Sequence, residues 1–556
     1  MCGIFGVIGD NAYEKVIKGL KLLQYRGYDS CGIAYFDKSF KINKAVGTLD
    51  NLKKIIKTVN IAFGHTRWAT NGVVNLENAH PHVSFDTSIT LVHNGIIKNA
   101  GLIKEKLKLK GIPFYSNTDT EVIANLIVSK NDKIDNILPQ LFNLLDGSFS
   151  LIIGTKYGDL YLLKRFSPLN IVVKQDEIYI SSDISSLPNG KLYSLKDGDI
   201  IKISSNTISK LNNEEMIYKE HKNNIKNLQL TTHNYYMEKE IYETPTALLN
   251  TYNEVKNLDL IDTIKNFNKL TLIGCGTAYH SCLIGEYLFK NELKFNVESI
   301  LASNYEVKQK VKSKHLHIIV SQSGETADCI KVAEQVKKRG GKLLLITNEP
   351  SSTLSKMSDY HIFTKAEKEI AVASTKTYCC QIFVFAYLCH KLKNENYNMN
   401  IIEFTHKIEE YLKQINIDEI AEKLKNVDKL ILIGKDVDYI TLLEASLKIR
   451  EIDYVYTLPM YSGELKHGTL SLIDKSAYVI SLNTEKSNKL QNAINEIESR
   501  EGNVITFDDY INTDVDFYYK PIFSIIPFQL LSYKIAILNE RNPDMPRNLA
   551  KSVTVE

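Results

Sequence analysis

The sequence predicts two unlike halves: an α+β domain built on antiparallel sheets and, behind it, two α/β units built on parallel sheets. Three observations carry this. Up to about residue 205 the chain is dominated by short β-like runs punctuated by turn residues. Beyond it the rhythm changes to alternating strands and helices. That second half also repeats itself: Lys269–Gly274 (KLTLIG) is echoed by Lys429–Gly434 (KLILIG), an offset of 160 (429 minus 269).

Taken in order, runs 4–8, 89–92, 151–153, 161–163, 171–173 and 178–181 read as strands. Turns at Asn94-Gly95, Tyr157-Gly158-Asp159 and Asp197-Gly198-Asp199 and helical stretches at 12–23 and 121–129 lie among them. Composition turns polar over 206–236, the best linker candidate. The repeat then holds its register: 318–321 matches 478–481 at the same offset, and 343–347 pairs with 504–506. The resulting division is 1–220 for the first domain, 221–244 for the linker, 245–400 and 418–545 for the two repeats, and 546–556 for a tail.

At 556 residues, with 44% hydrophobic and 24% charged residues, the chain reads as soluble and globular with two to four cores. A net charge of +3, with lysines dispersed, gives no support for nucleic-acid binding. The eight cysteines form no CxxC pair, so no metal site or redox dithiol is expected, and they read as reduced, mostly buried thiols. No cofactor is expected. The N-terminus is no secretory signal, and the most apolar run, 522–531, is too short and too interrupted to span a bilayer. No membrane is expected, and the location expected is the cytoplasm.

Cys2 follows the initiator methionine, so removal of Met1 would leave a thiol and a free α-amine on one residue. That amine, with a pKa of about 7.7–8.0, could take the thiol proton. Further clusters follow: Gln24-Tyr-Arg-Gly-Tyr-Asp-Ser30, Gly64-His-Thr-Arg-Trp-Ala-Thr70, Ala79-His-Pro-His82, Val92-His-Asn-Gly95 and Ser116-Asn-Thr-Asp-Thr120. Taken singly each has a structural reading. Asn94-Gly95 signals a hairpin, Thr118 with Glu121 a capping box, and Trp68, the only Trp, a core residue.

Taken together they resemble a class II glutamine amidotransferase domain of the N-terminal-nucleophile hydrolase type, over residues 2 to about 220. The resemblance implies Cys2 as nucleophile, its own α-amine as base, and Asn94 with the backbone of Gly95 as oxyanion hole. A preorganised donor there is worth about 3–4 kcal/mol. It further implies Arg67 and Asp119 on the carboxylate and ammonium of glutamine, Arg26 and Tyr28 in a closing loop, and Trp68 both at the glutamine site and as gate for ammonia. Asn71 departs from the family's histidine, which implies slightly weaker glutamine binding.

In the second half, Gly274-Cys-Gly-Thr277 and Ser321-Gln-Ser-Gly-Glu-Thr326 each follow a β-run. Such turns either cap the next helix or bind a phosphate monoester; the sequence leaves both open. The equivalent turn of the second repeat, Ser481-Leu-Asn-Thr-Glu485, has lost the Gly and the Ser cluster. Glu444, Lys448 and Glu451 share one helical face, which on spacing alone reads as an exposed, salt-bridged surface.

The repeats resemble sugar isomerase (SIS) domains. With the first domain, the whole is similar to the family of isomerising glutamine–fructose-6-phosphate aminotransferases. Cys275-Gly-Thr277, 321–328, Val372-Ala-Ser-Thr-Lys376, Gly463-Glu-Leu-Lys-His-Gly468 and the tail from Pro546 carry that match. It implies that Ser321, Gln322, Ser323 and Thr326 hold phosphate while Thr277, Val372 and Ser374 contact the sugar. Glu451 would move the proton between C1 and C2, with Lys448 as its cationic partner. His467, donated by the neighbouring subunit of a homodimer, would open the ring, and Lys551 would form a Schiff base once desolvation lowered its pKa. Ala278 stands where the family has Ser, one phosphate contact fewer. The substrates implied are L-glutamine and fructose 6-phosphate, with another phosphorylated ketose as the alternative. A non-catalytic sugar-phosphate sensor would need none of Glu451, His467 and Lys551.

Overall fold

A computed structural model describes residues 2–55, 57–69, 72–204, 207–222, 232–293, 295–307, 309–508 and 515–553. The chain divides into two compact units, Met1–Gln229 and Leu230–Thr554.

The first unit holds two antiparallel sheets, one of eight strands and one of six. Strand Gly3–Ile8, buried at every residue, lies inside the larger sheet between Glu177–Ser181 and Ile61–Arg67. The smaller sheet contains Ile89–Ile97, paired with Gly147–Thr155. Ile4, Phe63 and Ile180 of one sheet and Val92, Ile152 and Leu162 of the other share a single core cluster, so the apolar faces of both sheets are buried together. Asn94 and Gly95 are strand residues here, paired with Ser150 and Phe149, and form no hairpin turn. The predicted helices are Ala12–Lys21 and Asp119–Ser129.

The second unit holds two parallel sheets. The first is ordered Asn296–Leu301, Lys269–Gly274, His315–Val320, Lys342–Thr347, Tyr360–Phe363; the second is ordered Tyr456–Tyr461, Lys429–Gly434, Tyr478–Ser481, Asn503–Thr506. The repeated segments thus occupy equivalent places. Their strands are almost wholly buried, as continuous apolar runs covered by helices on both faces require. In each sheet the first strand in sequence lies between the second and the third, which makes a topological switch point beside it. The turns after Gly274 and Val320 flank that point in the first sheet.

One core cluster runs through helices Lys376–Lys393, Asp436–Asp453 and Lys520–Leu538 and ties both sheets together. The apolar segment Phe517–Leu538 is long enough to cross a membrane, yet 83% of its 18-residue apolar window is buried within the fold, as for a core helix. Helical structure begins inside the stretch read as linker, at Tyr236–Tyr242 and Thr244–Val255. The Asp544 carboxylate accepts the N–H groups of Tyr236 and Met237 at 2.8 and 2.7 Å, a cap from 300 residues away that local sequence does not reveal.

Candidate active sites

In the first unit, Cys2 stands at the head of the central strand Gly3–Ile8. Its Sγ accepts the Trp68 N–H at 3.3 Å. Burial pushes the thiol up from its ordinary value, and the Trp68 N–H and the Arg67 guanidinium pull against that. Asn94 donates through Nδ2 to the Cys2 carbonyl at 2.9 Å, and its Oδ1 lies 3.1 Å from His65 Nε2, so both ends of the amide are fixed.

Cys2, Arg67, Trp68, Gly95 and Asp119 line one small cavity. Arg67 is 3% exposed and feels Asp29 and Asp119. Asp119 Oδ2 accepts the Ile97 N–H at 2.9 Å. A guanidinium and a carboxylate beside one thiol suit the opposite charges of an α-amino acid. Thr118 does cap helix Asp119–Ser129, accepting from the Glu121 N–H, so the capping box and the site share these residues. Gly95 has φ +128°, and a Cβ there would stand 2.0 Å from the Ser148 carbonyl oxygen.

The gating candidates lie beside this cavity's rim. Arg26 ends the short 3₁₀ turn Gln24–Arg26 and pairs with Asp183 at 3.1 Å; Tyr28 is half-buried. A Cβ on Gly27 would fall 2.6 Å from the Arg67 carbonyl carbon and the Trp68 nitrogen, so this loop lies directly against the end of strand Ile61–Arg67. Asn71 lies outside the described residues.

Sequence reasoning quoted four histidines here without giving them a role. His65 and His80 stack at 4.1 Å, and His80 meets His82 edge-on at 4.8 Å. His80 Nε2 and His93 Nδ1 both reach Thr120 Oγ1, at 2.8 and 3.1 Å. Burial holds all four below the usual imidazole range, His65 at about 3. They are neutral hydrogen-bonding props of the site: His80 and His93 line the cavity, and His65 and His82 pack around them.

In the second unit, helix Asp436–Asp453 meets the turn that follows Gly274. Glu444 and Lys448 are completely buried and Glu451 partly so; the exposed surface that spacing alone suggested is not what forms. Lys448 Nζ donates to Glu451 Oε2 at 2.7 Å and to Thr277 Oγ1 at 3.1 Å, and stands 3.3 Å from Glu444 Oε1. Glu444 also accepts from Thr277 at 2.9 Å and lies 2.7 Å from His280 Nδ1. Burial would lower the lysine, but Glu444 and Glu451 outweigh it and raise it; burial would raise Glu444, but Lys448 and His280 outweigh it and lower it. The ion pair is therefore retained in the interior.

The turn after Val320 is tightly organised. Ser321 Oγ bonds Thr326 Oγ1 at 3.0 Å and accepts the Gly324 N–H at 3.1 Å; the Gln322 carbonyl accepts from Asn348 at 3.1 Å. Gly324 takes φ +63°, and a Cβ there would strike Ser352 Oγ at 2.1 Å. The tail reaches this turn: Ser552 Oγ is 2.9 Å from Ser323 Oγ, and the Val553 carbonyl accepts the Ala327 N–H at 3.1 Å.

Lys551 forms a buried ion pair with Glu369, a residue that sequence reasoning missed. Glu369 also accepts from Ser374 Oγ at 2.8 Å and from the Thr375 and Thr377 N–H groups. Burial would raise its carboxyl, but Lys551 and those N–H groups draw it down to about 2. Glu240, buried nearby and accepting the Ile370 N–H, is pushed up to about 8 by burial and by Glu369. The Val372 N–H donates to the Asp544 carbonyl at 3.0 Å. Glu369 is one of two acids, with Glu367, just before Val372-Ala-Ser-Thr-Lys376, and nothing in the local sequence sets it apart. His467 stands exposed at the end of the 3₁₀ segment Ser462–His467, and is the one candidate the fold leaves on the surface.

The second repeat differs at the equivalent turn. Asp438, at the repeat position of Ala278, accepts the Thr484 N–H at 2.8 Å and the Thr484 hydroxyl at 2.6 Å. Its carboxylate thus lies in the loop that corresponds to 321–326.

Comparison with known proteins agrees with both halves. A glutamine amidotransferase domain family matches residues 65–189 and the SIS domain family matches residues 263–391. The chain is 34% identical to a glutamine–fructose-6-phosphate aminotransferase (isomerizing) of Thermococcus kodakarensis and 36% identical to one of Pyrococcus horikoshii, each match covering 100% of both proteins. Among solved structures, the C-terminal domain of glucosamine-fructose-6-phosphate aminotransferase from Francisella tularensis aligns with 57% of the chain and 99% of its own length, at 30% identity and a TM-score of 0.50. An antiparallel amidotransferase unit followed by parallel-sheet SIS units, matched end to end by such relatives, makes this chain an enzyme of the glutamine–fructose-6-phosphate aminotransferase (isomerizing) family.

Proposed function

We propose that the protein hydrolyses glutamine and transfers the ammonia to fructose 6-phosphate, isomerising it to glucosamine 6-phosphate, the opening step of aminosugar synthesis. The carrying observation is the buried Glu444–Lys448–Glu451 array closing on Thr277: a phosphate sensor has no use for an interior acid–cation–acid chain.

In the glutaminase unit, taken as residues 1–220, the Cys2 sulfur attacks the side-chain amide carbon. Ammonia leaves as a γ-glutamyl thioester forms, and water then releases glutamate and restores the thiol. After removal of Met1 the α-amine of Cys2 takes and returns the proton. Arg67 and Asp119 hold the two charges of the amino acid, and Asn94 with the Gly95 N–H receives the developing oxyanion. The loop of Arg26 and Tyr28 closes over the site, and Trp68 gates the departing ammonia.

In the synthase half, residues 245–400 and 418–545 with the tail 546–556, Ser321, Gln322, Ser323 and Thr326 hold the phosphate. Thr277, Val372 and Ser374 hold the sugar. His467 of a second subunit opens the ring, consistent with its exposure in one chain. Lys551 condenses with the C2 carbonyl and loses water, and ammonia displaces the lysine. Glu451 then takes a proton from C1 and returns one to C2, with Lys448 steadying the developing negative charge. The second repeat carries no phosphate, because the Asp438 carboxyl already occupies the Thr484 N–H and hydroxyl in its loop. The enzyme is a homodimer working in the cytoplasm.

The test is a paired assay with glutamine and fructose 6-phosphate, scoring glutamate and glucosamine 6-phosphate together. Equal formation of both, abolished by Cys2→Ala and restored by ammonia, is the expected result. Glutamate without aminosugar would end the substrate assignment and turn attention to other ketose phosphates.

A further inference from the structure

Helix Asp436–Asp453, which carries Glu444, Lys448 and Glu451, ends on Tyr454 in the left-handed conformation, φ 59° and ψ 28°. Helices commonly end in that conformation, but on Gly or Asn; a bulky aromatic side chain there is strained. What Tyr454 touches accounts for its retention. Its hydroxyl accepts the N–H of Arg547 at 2.9 Å, and the Arg547 guanidinium stacks 4.1 Å from its ring centre. Arg541 lies 5.1 Å from the same ring while donating to the Asp453 carbonyl. Both cations are thus held to the one aromatic ring.

These contacts fasten the root of the tail. Four residues beyond Arg547, Lys551 meets Glu369, and the tip beyond it meets Ser323 and Ala327. Four residues of extended chain span at most about 14 Å, so the fixed root limits where the lysine can reach. We infer that Tyr454 is a positioning residue for the sugar reaction: it clamps Arg547 to the end of the acid–base helix and thereby sets the reach of Lys551. Strain at Tyr454 and the length of the tether act together, so acid–base helix and imine-forming lysine keep one geometry.

This inference rests on the proposed reaction, and the experiment separates the two. Tyr454→Gly removes the clamp while relieving the left-handed strain, so the loss of contacts is offset and folding is preserved; Tyr454→Phe keeps the ring and removes only the hydroxyl. The readouts are melting temperature, kcat and KM for fructose 6-phosphate, and mass spectrometry of Lys551 after incubation with fructose 6-phosphate and cyanoborohydride. That reagent's hydride reduces the imine, formed with loss of one water, to a stable secondary amine. Tyr454→Gly is expected to melt within a few degrees of the wild type, to lose at least tenfold in kcat, and to trap at least tenfold less adduct. Tyr454→Phe is expected to fall between it and the wild type. Equal trapping by wild type and Tyr454→Gly overturns the clamp alone. A wild type that traps nothing at Lys551 overturns the sugar-reaction reading first and the clamp with it.

Discussion

Lys551 and Glu369, 182 residues apart in sequence, form an ion pair whose side chains are 6% and 0% exposed. Burying a lone ammonium costs several kcal/mol, so the pair determines where the lysine can lie and which carboxylate shares its proton.

Glu369→Gln keeps the shape and removes the charge. Leaving Lys551 without its counterion is expected to destabilise the second unit by about 3–5 kcal/mol, with glucosamine 6-phosphate formation falling at least a hundredfold. The sign of the pH effect follows from a depressed carboxyl. The stabilisation is complete above the unfolded value near 4.5 and is lost as pH falls toward about 2. Urea midpoints of wild type and variant should therefore converge on acidification through that window; a constant gap would refute the pairing energy.

Gly95→Ala should be disproportionately harmful for one methyl group. The added carbon meets the Ser148 carbonyl at 2.0 Å and His93 Nε2 at 3.0 Å, with φ at +128°. Strand Ile89–Ile97 must shift, at a cost of about 2 kcal/mol or more, and Asn94 moves with it. Glutamine-dependent synthesis should collapse while ammonia-dependent synthesis stays near wild type. Unaltered glutamine turnover would show that this stretch of backbone takes no part in the chemistry.

Asp438→Ala gives the second repeat the residue that the first has at position 278. Titration calorimetry with inorganic phosphate should then detect one more binding equivalent per chain than in the wild type. Asp438→Asn, which still fills the loop, should show no additional equivalent. If the alanine variant folds and takes up no additional phosphate, Asp438 is an ordinary turn residue.

The histidine cluster predicts acid lability of the first unit. Its members are neutral when folded, with His65 held at about 3, whereas unfolded imidazoles titrate near 6.5. Their burial therefore costs nothing above pH 6.5 and progressively more below it, by up to about 1.4 kcal/mol per pH unit for each histidine. Trp68, the chain's only tryptophan, reports on this unit. Its fluorescence should show urea midpoints dropping from pH 6.5 to 5, less so in His82→Asn. A flat profile would contradict neutral burial.

Much of this was legible in the residues. The strand runs, the change of rhythm past residue 205 and the repeat at 160 follow from local periodicity, which survives folding because each strand satisfies it alone. Cys2, Arg67, Gly95 and Asp119 were singled out, and the fold brings them to one cavity. The rest depended on partners distant in the chain. Spacing alone placed Glu444, Lys448 and Glu451 on a solvated face, because a charged stripe looks the same whether water or Thr277 faces it. Glu369 had no local signature, since its meaning comes from Lys551. Asn94-Gly95 read as a hairpin, because the positive φ that suits a turn also suits a strand glycine pressed on Ser148.

Thr277 belongs to the first repeat, while the two side chains that bond it, Glu444 and Lys448, belong to the second. Such an arrangement makes the two repeats inseparable. With the Thr277 hydroxyl in one repeat and the acids and the cation in the other, neither can be removed without opening the buried array. Each sheet is therefore a required wall of the other's chemistry, and the two stand or fall as one unit.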